Sequence, residues 1–182
     1  QESKAEQLFA QLPATERENQ KGFEALLNIK NSLNRYDDFL NIWQQHPEQR
    51  HNAEPVTIAK TVFVLSQHAK AQEAITLVQE TLKRDTLSVW QRAVLMNALG
   101  VSLNDAGADE QAEDVFTQLI ALGAGHLGNR NMAISFYNRA LARKWLGYYQ
   151  EARSDGLESY SWANEASNSH EVGKALCMLG EI

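Results

Sequence analysis

The chain is predicted to be all-α, a superhelical solenoid of antiparallel helical hairpins, because it repeats itself and because its apolar residues fall at helical spacing. Leu99-Gly100 followed by Gly107, Ala112 and Phe116 returns forty residues later, weakened, as Arg139-Ala140 followed by Gly147 and Ala152. Leu179-Gly180 fills the first slot again after forty more. Thirty-eight residues before the first copy, Val62 and Ala74 stand in the slots of Gly100 and Ala112, and a fainter copy carries Leu27, Tyr36, Phe39 and Trp43. A fixed period in this range marks stacked units, each burying its apolar face only against its neighbours. Alternation with a period of two is nowhere long enough to predict a sheet.

Taken in order, Gln7, Leu8 and Leu12 predict a short leading helix stopped at Pro13. Phe23, Leu26, Leu27, Ile29 and Leu33 follow the spacing of an amphipathic helix, and Phe39, Leu40, Ile42 and Trp43 make its partner before Pro47. The polar stretch Glu48 to Glu54 is expected to be an irregular connection. Pro55 then suits an early helical position, where its missing N–H would be unpaired anyway. Further helices are expected at 55–67, 70–84, 88–104, 109–122, 129–146, 149–166 and 171–182. Residues 1–182 thus read as one solenoid domain, degenerate over 1–54, with clearer repeats over 55–182 and an incomplete last repeat.

The slot residues have physical reasons to be what they are. Gly100 and Ala140 are small enough for a second helix to approach, meeting the small surfaces of Ala74, Ala112 and Ala152. Gly107 and Gly147 fall at hairpin turns, where a left-handed backbone suits glycine and strains a β-branched residue. Phe116 and Trp43 are expected to fill the space between successive hairpins.

These residues resemble the tetratricopeptide repeat. Asn97-Ala-Leu-Gly-Val-Ser-Leu103 with Gly107, Ala112 and Phe116 looks like one good copy, and Leu146-Gly-Tyr-Tyr-Gln-Glu-Ala152 like the turn and second-helix start of another. The resemblance spans residues 20–182, with Gly156 in place of an expected aromatic and Asn164 in place of a closing proline. The family period is about 34 residues; the spacing of 40 here is similar to a longer-helix branch found in bacterial signalling proteins. The resemblance implies a right-handed superhelix whose first helices line a concave groove for a protein or peptide. It also implies a sensory or interaction region of a larger bacterial signalling protein, such as a cyclase or kinase. The alternative is a stand-alone adaptor or assembly factor in an envelope or cytoplasmic complex. One subclass of the family clamps a terminal carboxylate with Lys and Asn, but here Val101 stands where a clamp Asn would be and Asn97 where a Lys would be.

Composition is that of an ordinary globular chain: 182 residues, 43% hydrophobic and 22% charged. A net charge of −6, with no basic block longer than Lys83-Arg84, argues against nucleic acid. No apolar run approaches the ~20 residues that span a bilayer, so the segment is not expected to insert in a membrane. The single cysteine, Cys177, has no partner for an internal disulfide and is expected to be a buried thiol. The chain starts at Gln1 rather than Met. If a signal peptide was removed before Gln1, the protein is extracytoplasmic, in the periplasm; otherwise it is cytoplasmic. At the other end, Ala175 to Ile182 reads as a first helix whose partner lies beyond the segment. The apolar face of Leu176, Met178, Leu179 and Ile182 is therefore expected to be uncovered and to form a homodimer through the C-terminal helix.

Several chemical signals fail on context. Gly123-Ala-Gly125-His-Leu-Gly128 matches the dinucleotide fingerprint letter for letter, but that motif needs a strand before it; a helix precedes it here, and a flexible connection is expected. His46 and His51 flank Pro47 without further ligands at metal spacing, and read as surface-loop histidines. Asp105, Asp109, Glu110, Glu113 and Asp114 read as a solvated turn and helix start. Without a nucleophile motif the chain is expected not to be an enzyme and to use no metal or cofactor. What remains is recognition. Counting from the small-residue slots, the groove candidates are Lys60, Asn97, Val101, Asn104, Tyr137, Asn138, Leu141, Lys144, Trp145 and Lys174. Asn97 and Asn138 have the alternative role of bridging neighbouring helices.

Overall fold

Five helix-to-helix connections in this chain close in the same way, and that closure generates the architecture. A computed structural model describes residues 3–182. It contains α1 (Lys4–Ala10), α2 (Ala14–Arg17), α3 (Gln20–Ser32), α4 (Tyr36–Gln45), α5 (Pro47–His51), α6 (Pro55–Gln67) and α7 (Ala71–Leu82). These are followed by α8 (Val89–Asp105), α9 (Asp109–Ala121), α10 (Ala124–Leu127), α11 (Asn129–Trp145), α12 (Tyr149–Glu165) and α13 (Ser169–Gly180). Among the described residues there is no strand, and no helix is long and apolar enough to cross a membrane.

The repeated closure is a three-residue link whose middle residue is left-handed. Asn34, Ala69, Gly107, Gly147 and Ser167 occupy that position, with φ of 54°, 55°, 72°, 82° and 52°. In each link the next N–H donates back to a carbonyl five residues earlier. The five bonds are Arg35 to Lys30, Lys70 to Leu65, Ala108 to Leu103, Tyr148 to Arg143 and Asn168 to Ala163, at 2.8–3.0 Å. Each bond satisfies a carbonyl that the helix end would leave unpaired. Links this short fold consecutive helices back on one another. Each hairpin then packs on the next, α6 on α8, α9 on α11 and α11 on α13, contacts compatible with a superhelix.

The core follows this stacking. Phe23 stacks on Trp43 with centroids 6.0 Å apart, beside buried Leu27 and Phe39. The same apolar cluster continues through Ile58, Val62 and Val78 to Leu95, Phe116 and Leu119, reaching Met132. Gly100 lies directly against Phe116: a Cβ built there would sit 2.5 Å from the ring. Phe116 therefore fills the gap inside its own hairpin, not only a space between hairpins as the sequence suggests.

Five other expectations are corrected. Pro47 ends α4 and starts α5 at its first position, so part of the polar stretch 48–54 is helical rather than irregular. His46 is half-buried, its ring 5.5 Å from that of Phe23 and its Nδ1 2.8 Å from the Ile42 carbonyl, so it is no surface-loop side chain. Residues 123–128 form the single turn α10 between Gly123 and Gly128, whose φ/ψ of 76°/166° and 75°/156° belong to a region nearly restricted to glycine. Cys177 is exposed. Helix α13 turns Ala175 and Met178 inward and lodges Leu179 against Gly156, 2.8 Å from where a Cβ would be. The C-terminal face is thus largely covered, with Leu176 and Cys177 on the outer side.

Candidate functional site

Helix α8 presents Trp90, Val94, Asn97, Val101 and Asp105 along one side, at successive spacings of four, three, four and four that align residues on a helix. Helix α6 faces it with Phe63, Ser66 and Gln67, and together they enclose a groove with a cavity of about 420 Å³. Its floor is apolar, made by Val62, Ala98, Leu119 and Leu127. Leu127 is there because the two special glycines bend the chain into α10 and turn that side chain inward, where it is buried. The motif that imitates a dinucleotide fingerprint therefore shapes the floor of an apolar groove. Helix α11 closes one side with Asn131 and Ser135.

The polar groups in this groove are unevenly used. Asn131 Nδ2 donates to the Leu127 carbonyl at 2.7 Å, and Ser135 Oγ to the Asn131 carbonyl at 2.8 Å. Ser66 Oγ is buried with no protein partner. Phe63 and Trp90 are each about half exposed, at 48% and 50%, which is unusual for large apolar side chains on an inner helix face.

The ten residues singled out from sequence are spread over several places rather than one groove. Asn97 and Val101 line the groove. Asn138 Nδ2 donates to Asn97 Oδ1 at 3.5 Å, and Asn104 Nδ2 to the Asn138 carbonyl at 3.2 Å, so these three asparagines bridge α8 and α11. Lys60 donates to Asn28 Oδ1 at 2.6 Å and ties α6 to α3. Tyr137, Lys144 and Lys174 gather where α11 meets α13. The Lys174 ammonium lies 5.0 Å from the Tyr137 ring centroid, and Lys144 bonds Glu181 at 2.7 Å. Burial, and then the Glu181 carboxylate, raise the Tyr137 phenol above its usual range. Leu141 is half-buried, and Trp145 is 68% exposed with Lys144 over its ring at 5.7 Å.

Phe63, Ser66, Trp90, Asp105 and Asn131 were not singled out as groove residues. Phe63 could have been found, since it stands thirty-eight residues before Val101, in the same slot one unit earlier. Asn131 and Ser135 could not, because which part of α11 faces α8 depends on how the two helices cross.

The acidic run is not simply a solvated turn. Glu113 pairs with Arg143 at 2.7 Å. Asp109 Oδ1 is buried without a partner, and burial together with Glu110 raises its carboxyl above the ordinary range. A larger hollow of about 1010 Å³ between α5 and α7 has Arg50, Arg84, Glu73 and Glu80 in its walls. Arg84 is already engaged there, donating to the Ala53 and His51 carbonyls at 2.8 Å. The α6–α8 groove is thus the better candidate, with apolar walls and unused polar groups in the proportions typical of binding sites.

Compared with known protein families, curated proteins and solved structures, the chain has no match in any of the three.

Proposed function

We propose that this chain is a non-catalytic scaffold that binds a peptide or an exposed segment of another protein in the groove between α6 and α8. The observation that carries the reading is the pairing of an apolar floor with exposed Phe63 and Trp90 and a buried, unpartnered Ser66 hydroxyl. Exposed aromatic area of this kind supplies much of the energy of protein recognition. The likeness to tetratricopeptide repeats supports the same reading. Attachment to a signalling output domain in a larger bacterial protein is the finer form of the proposal, with an adaptor role as its alternative; both rest on that likeness alone.

The test is selection of a randomised heptapeptide library, displayed on phage, against the immobilised protein. The wild type and Leu157→Arg, altered at an exposed position of α12, should enrich a common set of peptides. Val94→Arg, which drives a guanidinium into the groove, should enrich none while keeping the helical circular dichroism of the wild type. Equal enrichment on Val94→Arg would place recognition elsewhere.

A further inference from the structure

Asp105 is the one charged residue among the described residues lining the groove. It is the last residue of α8, where unpaired helix carbonyls already present partial negative charge and an acidic side chain is disfavoured. Among the described residues it has no ion-pair partner, unlike Glu113 and Asp155, which Arg143 holds. Across the Gly107 turn, Asp109 and Glu110 begin α9 with charge of the same sign. This end of the groove is therefore acidic and uncompensated, and a cation placed there would relieve an unfavourable arrangement.

The rest of the groove constrains the form of the ligand. From Trp90 to Asp105 it follows fifteen residues of α8, about 22 Å at helical rise, which is the reach of about six or seven residues of extended chain. Among the described residues the Ser66 hydroxyl is buried with no hydrogen-bond partner, and the Asn97 side-chain NH2 and the Asn131 side-chain oxygen are the ends of their amides not engaged with Asn138 and Leu127. An extended backbone has free N–H and C=O groups to offer them, whereas a docked helix has already paired its own.

We propose that the groove takes an extended peptide segment with a Lys or Arg side chain against Asp105 and an apolar side chain lodged between Phe63 and Val94. This rests on the peptide-binding reading above. Charge complementarity fixes the polarity of the ligand, and the length and hydrogen-bonding inventory fix its extended form.

The same heptapeptide selection tests it. Peptides enriched on the wild type should share a Lys or Arg set a few positions from an apolar residue. One such peptide, synthesised with a fluorescent label, should bind about tenfold more tightly than its copy with Gln in place of the basic residue. On Asp105→Asn that ratio should fall to about one, and on the wild type it should shrink as salt screens the pair. Asp105→Asn should leave the melting temperature unchanged or slightly raised, since it removes an acid from a helix C-terminus. Enrichment without a basic residue, or a tenfold preference that persists in Asp105→Asn, overturns the charge assignment and leaves peptide binding standing. No enrichment at all overturns the peptide reading beneath it. Full displacement by arginine amide, with no added affinity from the rest of the peptide, assigns the site to a free organic cation instead.

Discussion

The hairpins α8–α9 and α11–α12 occupy the same repeat slots and are held together by different means. In α8–α9 a large ring fills a space left by a glycine: Phe116 is fully buried against Gly100, among Leu95, Leu99 and Leu103. In α11–α12 the Phe116 slot is Gly156 and the Gly100 slot is Ala140, and the buried residues between the helices are small: Ala133, Ala142, Ala152 and Ala163. The backbones come close enough for Ser159 Oγ to donate to the Ala133 carbonyl across the hairpin at 2.9 Å. A charged network does the rest. Arg139 grips Asp155 with two bonds of 2.8 and 2.7 Å, and Arg143 joins Asp155 at 2.9 Å and Glu113 at 2.7 Å. One repeat pattern thus tolerates a greasy and a polar solution, provided each slot's volume is matched by what faces it.

Substitutions that remove each hairpin's fastener should have the largest effects. Phe116→Ala is expected to lower stability by ~3–5 kcal/mol, through lost burial and the cavity left behind. Asp155→Ala is expected to lower it by a similar ~3–5 kcal/mol, because it leaves Arg139 and Arg143, both mostly buried, without their shared counter-ion. Urea midpoints measure both. The mechanisms separate in a second step: replacing Arg139 and Arg143 by Met in the Asp155→Ala protein should recover much of its loss, and the same pair should recover nothing in Phe116→Ala. Equal recovery in both would break the distinction.

The two glycines sharpen it further. Gly100→Ala pushes a Cβ into a fully buried ring and should cost about 1–3 kcal/mol, despite the better helix propensity of alanine. Gly156→Ala meets Leu179 at Cδ2 (2.8 Å) and Cγ (3.2 Å), with Met178 Cγ in ordinary contact at 3.8 Å; the half-buried Leu179 side chain can shift, and stability should change by less than about 1 kcal/mol. Thermal unfolding of the pair in parallel would show whether the small-residue hairpin really has the slack that its packing implies.

The turns give a smaller contrast. Ala69 holds a left-handed conformation that glycine adopts freely, so Ala69→Gly should stabilise the protein by ~1 kcal/mol, while Gly107→Val should destabilise it by ~1–2 kcal/mol. If Ala69→Gly is neutral, the α6–α7 hairpin closes without the strain its φ implies.

The smallest effect belongs to the leading helix. Glu6 is tucked against Lys30 and Arg35. The Lys30 hydrogen bond, first among the causes, holds its carboxyl at about 2 instead of the ordinary 4.5. Its pKa is depressed on folding, so the attachment of α1 is at full strength above pH 4.5 and lost as pH falls through about 2. The amide resonances of Ser3 and Glu6 should move over that interval and stay fixed above it; Glu6→Gln should abolish the movement.

Much of this architecture was legible because prolines, turn residues and apolar spacing agreed. Pro55 stands at the first position of α6, and the predicted span 55–67 is the helix observed. Gly107 and Gly147 mark two of the five turns; Asn34, Ala69 and Ser167 fill the other three and carry no comparable signal. The short helices α5 and α10 escaped because four or five residues hold too little of a 3.6 period to register. Cys177 was misplaced because Leu176, Cys177, Met178 and Leu179 are four apolar residues in succession, a run that does not reveal which side is inward. The groove was legible only at Asn97 and Val101. Its aromatic rim and Asp105 emerge from helices that are separated in sequence and crossed in space, which is information no single segment carries.

The five left-handed links also bear on how the chain reaches this structure. Because each link is three residues long and the principal packing joins a helix to its first or second neighbour, the principal contacts form without closing a long loop. The entropic barrier to each step is correspondingly small. Folding should start in whichever hairpin closes first and spread in both directions. The glycine links at Gly107 and Gly147 favour the central hairpins as the starting points, and slowing the central turns should delay refolding more than an equal destabilisation near α1.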